Sequence, residues 1–152
     1  SEVAGTIIQR ARENGVRIAF GTDAGVFPHG QNAGEFRLLL AGGMTSREAL
    51  ASATTVAAEI LGLEDEIGRI AVGYSADIIA VDGNPLEDIT VLGGTDKWFD
   101  ADPEYKLIPT IHLVMKDGDI YRNEIDGRLS PAAISYGEMK YEGIIESPGT
   151  PY

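Results

Sequence analysis

The chain has 152 residues, 43% of them hydrophobic and 24% charged, a balance that argues against wholesale disorder and is enough for one domain with a buried core. Twelve basic against 24 acidic residues leave a net charge of −12. No basic stripe or aromatic platform offsets it, so nucleic acid and anionic membrane faces are disfavoured as partners. Cysteine is absent, which excludes disulfide staples and thiolate metal sites, and no run of about 18 apolar residues could span a membrane.

Ser1-Glu2-Val3 is not a basic region leading into an apolar one, so no signal peptide is expected. Ser1 in place of an initiator Met points to a processed or truncated start, or to Met removal before Ser. Val3, Ala4, Ile7, Ile8 and Ala11 then recur at helical spacing. Asn14-Gly15 supplies a left-handed stop. Residues 16–20 read as a short, largely apolar strand running into Gly21. A helix, a tight turn and a buried strand make one step of an α/β repeat. The loop over residues 22–32 is polar and rich in Gly.

A helix is expected over residues 33–41, closed by Gly42-Gly43. Thr45-Ser46-Arg47-Glu48 has the spacing of a capping box, in which hydroxyl and carboxylate satisfy free backbone N–H groups reciprocally. The helical pattern runs through Ala53, restarts near Thr54 or Thr55 and ends at Gly62, with Leu63 placed for a Schellman-type contact. No repeat of 20 to 50 residues stands out.

After Leu63 the character changes. Ile67, Ile70 and Val72 precede Gly73, residues 77–81 form an apolar, β-branched run, and Asp82-Gly83-Asn84-Pro85 breaks it. Residues 111–115 and Ile120-Tyr121 flank Asp117-Gly118, a two-residue hairpin signal. Between these runs residues 93–110 are acidic and irregular, with Trp98, Phe99 and Tyr105 as packing anchors, and the tail from Gly127 has weak periodicity. The expected organisation is an α/β segment over residues 1–63, a small β segment over 64–126 and an irregular tail over 127–152.

The strongest chemical signal is Gly21-Thr22-Asp23-Ala24-Gly25, directly after the strand. In an α/β barrel the reacting groups sit where strands end, because those loops open onto one face. A carboxylate there can bind a divalent cation and take a proton from water. Read alone, Gly-Thr-Asp also describes an Asp that caps the next turn. Gly94-Thr95-Asp96 repeats the tripeptide without a clear helix after it and reads as a turn. Context therefore carries the signal.

That context resembles the last barrel strand and following loop of the amidohydrolase superfamily. The matching residues are Gly21-Thr22-Asp23-Ala24-Gly25, His29-Gly30, Asn32 and Glu35, followed in order by Gly42-Gly43-Met44-Thr45, Glu48-Ala49-Leu50 and Ala53-Thr54. Leu61-Gly62-Leu63, Ile67-Gly68-Arg69-Ile70, Gly73 and Ala76-Asp77-Ile78-Ile79 continue it. Gly83-Asn84-Pro85-Leu86-Glu87-Asp88-Ile89 and Val114-Met115-Lys116-Asp117-Gly118 complete it. The similarity is greatest to the imidazolonepropionase-like and Xaa-Pro dipeptidase-like branch.

The resemblance implies an α/β fold: the last βα unit or units of a TIM-type (β/α)₈ metal-dependent hydrolase barrel, plus the C-terminal part of a small β-sandwich, incomplete by itself. It implies one or two divalent metal ions, most often zinc. It makes Asp23 a metal ligand and the proton shuttle in hydrolysis of a C–N bond. It sets His29 near the substrate mouth, where an imidazole could bind a substrate carboxylate or carbonyl or simply hydrogen-bond locally; both readings stay open. Glu35 is read as serving its helix N-terminus through the dipole in preference to contacting substrate, Asp77 as orienting a turn, and His112 as a solvated or packed strand histidine without a ligand partner.

The family's His-x-His after strand one, its carboxylated lysine and its histidines from strands five and six have no counterpart here. A closed barrel typically needs about 250 residues, and this chain supplies one barrel strand. The expected partners are therefore the remainder of the barrel, from absent sequence or a separate chain, and a small amide or peptide substrate. Self-association into a homo-oligomer is left open. The chain alone is expected to be inactive. Two alternatives stand beside this reading: a non-catalytic interaction domain derived from such an enzyme, and a deaminase of the same superfamily.

Overall fold

The computed structural model of the chain describes residues 2–23, 32–93 and 108–125. His29, the Gly94-Thr95-Asp96 turn, the aromatic anchors Trp98, Phe99 and Tyr105 and the tail over 127–152 lie outside the described residues. The element order is α1 (Glu2–Glu13), a 3₁₀ turn (Asn32–Gly34), α2 (Glu35–Ala41), α3 (Ser46–Ser52), α4 (Thr55–Leu61), β1 (Ile78–Val81), a second 3₁₀ turn (Ile89–Leu92), β2 (Ile111–Lys116) and β3 (Asp119–Asn123). Among the described residues no helix is long and apolar enough to cross a membrane.

Local signals place most of these elements. α1 stops where Asn14 Nδ2 donates to the Arg10 carbonyl at 2.7 Å and Gly15 takes φ +69°, a left-handed value that costs glycine little. The capping box forms as the spacing predicts: the Thr45 hydroxyl accepts the Glu48 N–H, and a Glu48 carboxylate oxygen accepts the Thr45 N–H. α4 ends at Gly62, with φ +71°, and the Leu63 N–H reaches back to the Ala58 carbonyl at 2.9 Å. The helix expected over residues 33–41 begins instead with the 3₁₀ turn, and α-helix proper starts at Glu35. Gly34, which stands at its N-cap, has no side chain to accept a free N–H, and the first turn is completed by 3₁₀ geometry.

One expectation is corrected. Residues 16–20 are not a β-strand in this structure but an extended segment without ladder partners among the described residues. The apolar run is a strand's, yet a strand exists only through hydrogen bonds to a neighbour, and the nearest backbone partner here is helical: the Phe20 N–H donates to the Ser52 carbonyl at 2.9 Å. Val16 is left 57% exposed.

The three strands form one antiparallel sheet in the order β1-β2-β3. Lys116 pairs with Asp119 across Asp117-Gly118, whose φ values of +51° and +86° suit the two-residue turn that matches strand twist. Asp77 orients that turn, as its placement suggests. Its Oδ1 accepts the Asp117 N–H at 2.8 Å, while Asp117 Oδ1 accepts the Ser75 hydroxyl at 2.9 Å.

The buried cluster comprises Phe36, Leu39, Met44, Ala49, Ile89 and Leu92, flanked by Ile8, Ile18 and Phe20. The second 3₁₀ turn thus inserts Ile89 and Leu92 between β1 and β2 in sequence but against the helices in space. α1 closes over the α2–α3 corner. Arg12 donates to Glu48 at 3.0 and 3.1 Å and to the Gly43 carbonyl, and Ile8 packs so near Gly42 that a Cβ there would lie 2.6 Å from it.

Candidate functional site

The site is built from the outlet of the extended segment. Successive residues of an extended chain face opposite ways, and Ile18 and Phe20 both turn onto the buried cluster. The Phe20 ring meets Phe36 of α2 with centroids 4.6 Å apart and planes tilted by 44°. Ser52, 1% exposed, receives the Phe20 N–H on its carbonyl and donates its own hydroxyl to Ala49 O at 2.7 Å. The segment is therefore fixed to α2 and α3 immediately before Gly21-Thr22-Asp23.

Thr22 is half-buried, and its hydroxyl oxygen accepts Asn32 Nδ2 at 2.8 Å. Asp23 is exposed, and its backbone turns into the left-handed region at φ +49°. For an L-residue that region costs on the order of 1 kcal/mol, and Asp and Asn tolerate it better than most. Among the described residues the Asp23 carboxylate makes no hydrogen bond or ion pair with another side chain or backbone group. A carboxylate presented this way is open to a ligand.

Glu35 stands in the first turn of α2, where free N–H groups favour a carboxylate, yet burial pushes its carboxyl above the usual range. His112 lies in β2 with Nδ1 3.8 Å from Glu124 Oε2. Arg122 grips that same carboxylate through Nε at 3.0 Å and Nη2 at 2.8 Å, which holds the Glu124 carboxyl below its ordinary value. Arg122 also donates to the Ile108 carbonyl at 2.9 Å. His112 thus belongs to a polar cluster on the sheet, in keeping with its reading as a strand histidine.

Among the described residues no three His, Cys, Asp or Glu side chains gather as a metal site. A catalytic zinc ion takes about three protein ligands and keeps one position open. Asp23 offers the hard oxygen that a divalent cation accepts, so the described residues fit such an ion as a contribution and not as a complete site. Sequence reasoning singled out Asp23 but not the Thr22–Asn32 hydrogen bond, nor the left-handed turn at Asp23. Two polar side chains flanking a Gly-rich loop were the available signal, and their spacing alone does not bring them together.

Comparison with known proteins follows the same residues. The family model described as "Amidohydrolase family" matches residues 6–129. Ochratoxinase of Aspergillus niger is 44% identical over 85 residues, which is 55% of this chain and 17% of that protein. A 5-methylthioadenosine/S-adenosylhomocysteine deaminase of Teredinibacter turnerae is 36% identical over 85 residues, 49% of this chain and 19% of its own length. Among solved structures, a Xaa-Pro dipeptidase with methionine bound in its active site superposes with a TM-score of 0.64 at 40% identity, covering 78% of this chain and 25% of that one. The chain therefore spans about a quarter or less of the length of these relatives.

Proposed function

This chain belongs to the amidohydrolase family, whose members have a TIM-barrel-type hydrolase fold and are generally metal-dependent, and from that premise we propose that it forms the C-terminal part of a metal-dependent hydrolase of C–N bonds in amides or peptides. Residues 1–63 would be the last βα portion of the barrel, 64–126 the C-terminal part of a small β-sandwich and 127–152 a tail. The observation that carries the reading is Asp23: an exposed carboxylate, without a partner among the described residues, at the outlet of an extended segment locked to two helices.

In this reading a divalent cation, zinc for preference, would polarise the scissile carbonyl and acidify water when bound. Asp23 contributes one oxygen to holding it. The same carboxylate takes the proton of the attacking water and passes it to the leaving nitrogen. The remaining ligands come from the rest of the barrel, in the same polypeptide or a separate chain, and His29 contacts the substrate's carboxylate or carbonyl.

A peptidase-like substrate is favoured by the 40% identity to a Xaa-Pro dipeptidase over 78% of the chain. The deaminase relative supports a second reading, hydrolytic loss of ammonia from an amino-heterocycle, over a shorter stretch. The test uses the full-length protein loaded with zinc, assayed against Xaa-Pro and N-blocked dipeptides and against aminopurines. Dipeptide turnover that falls at least about 10³-fold in Asp23→Asn supports the proposal. Undiminished turnover in that variant overturns the role of Asp23, and turnover of aminopurines alone replaces the substrate class.

A further inference from the structure

Asn32 and Thr22 stand ten residues apart and bracket the stretch that follows Asp23. Their hydrogen bond, Nδ2 to Oγ1 at 2.8 Å, is half-buried. It repeats, one step further along, the tie made by Phe20 and Phe36. Ile18 and Phe20 pack on the buried cluster and Thr22 is half-buried two residues on, while Gly21 and Asp23 are exposed. Of the two ties, the hydrogen bond is the nearer to Asp23, one residue away, and it reaches across to the residue that opens the 3₁₀ turn into α2. Immediately past Thr22 the backbone enters the left-handed region, a conformation that persists where its surroundings over-determine it.

We propose that Asn32 is a positioning residue: by holding the Thr22 hydroxyl it fixes the backbone that carries Asp23, and so sets the direction in which the Asp23 carboxylate meets a cation and the attacking water. The inference rests on the reading of Asp23 as ligand and proton shuttle, and it adds a residue that acts through Asp23. A small misplacement of a reacting carboxylate is costly to rate even where substrate binding is untouched, so the loss should fall on kcat.

The experiment uses the full-length protein and the variants Asn32→Ala, Thr22→Val, the two combined, Thr22→Ser and Asp23→Asn. Asn32→Ala and Thr22→Val should each lower kcat about tenfold with KM for a dipeptide substrate unchanged within about twofold. In the metal-free protein each should also weaken zinc affinity by titration and speed amide hydrogen exchange at Thr22 and Asp23. The double variant should lose less than the product of the single losses, because both remove the Thr22–Asn32 bond, and Thr22→Ser, which keeps the hydroxyl, should restore all three readouts. Should Asn32→Ala fail to fold, Thr22→Val, nearly equal in volume, decides by the same measurements. Activity retained in Asp23→Asn would defeat the underlying assignment, and this inference with it. An inactive Asp23→Asn beside Asn32→Ala and Thr22→Val with unaltered kcat and exchange, or losses that multiply in the double variant, would overturn the positioning role alone.

Discussion

Asp77 and Asp117, forty residues apart, are joined through a side chain: Asp77 Oδ1 accepts the backbone N–H of Asp117 at 2.8 Å, at the tip of the β2–β3 hairpin. The start of one strand thereby caps the turn between the other two. The Gly118 N–H adds a second bond to the Ala76 carbonyl at 3.2 Å.

Asp77→Ala leaves the Asp117 N–H without its acceptor and should destabilise the fold by about 1 kcal/mol, the net worth of an accessible hydrogen bond. Asp77→Asn keeps an oxygen in place and should recover most of that loss. Urea unfolding of the two variants beside the parent measures it, and equal midpoints for Asp77→Ala and the parent would refute it.

Gly42 is required by space. Its φ is −79°, a value any residue adopts, but an added Cβ would lie 2.6 Å from Ile8 Cβ and Cγ2. Gly42→Ala should cost about 1–3 kcal/mol as an overpacking change. Ile8→Gly in the same molecule removes the Cβ and Cγ2 that the added group meets, so the double variant should unfold at a higher temperature than the sum of the single effects predicts.

Glu48 gives a pH signature. Its carboxyl lies below the ordinary value, first through the Thr45 backbone N–H it accepts and then through Arg12. A depressed folded-state value means that the ionised form stabilises the fold; the contribution is present above the unfolded value near 4.5 and is lost as pH falls through the lower folded value. The melting-temperature gap between parent and Glu48→Gln should therefore be widest at neutral pH and close in acid. It should also narrow with added salt, since the Arg12–Glu48 pair is exposed enough to be screened.

The chain by itself should bind zinc weakly and hydrolyse nothing, because the described residues gather no three-ligand site. Isothermal titration of metal-free protein measures this. Tight one-to-one binding by these 152 residues would show that the ligand set is more complete than Asp23 implies.

What was legible in the sequence were features written in neighbouring residues. The capping box of Thr45 and Glu48, the stops at Gly15 and Gly62 and the Asp117-Gly118 turn each depend on contacts within about five residues, and each formed. The run at residues 16–20 was legible as apolar and was expected to be a buried strand, but its pairing and burial are properties of whatever lies beside it: none of its residues is fully buried. The seat of Ile89 and Leu92 against Phe36 and Leu39 crosses some fifty residues of chain and leaves no local mark. At the site, the position of Asp23 just after the apolar run was visible in its surrounding pattern. The Asn32 amide that reaches Thr22 was visible only as a polar residue, since no spacing rule carries a bond between residues ten apart.

The 3₁₀ turn at Ile89–Leu92 has a practical consequence for anyone dividing this polypeptide. A cut at residue 63, where composition changes, would strip two apolar plugs from beneath Phe36 and Leu39 and leave the upstream piece with a greasy hollow open to water. The downstream piece would carry those plugs with nothing to seat them. Expression of either half should yield aggregates, whereas co-expression lets the hollow and its plugs find each other again.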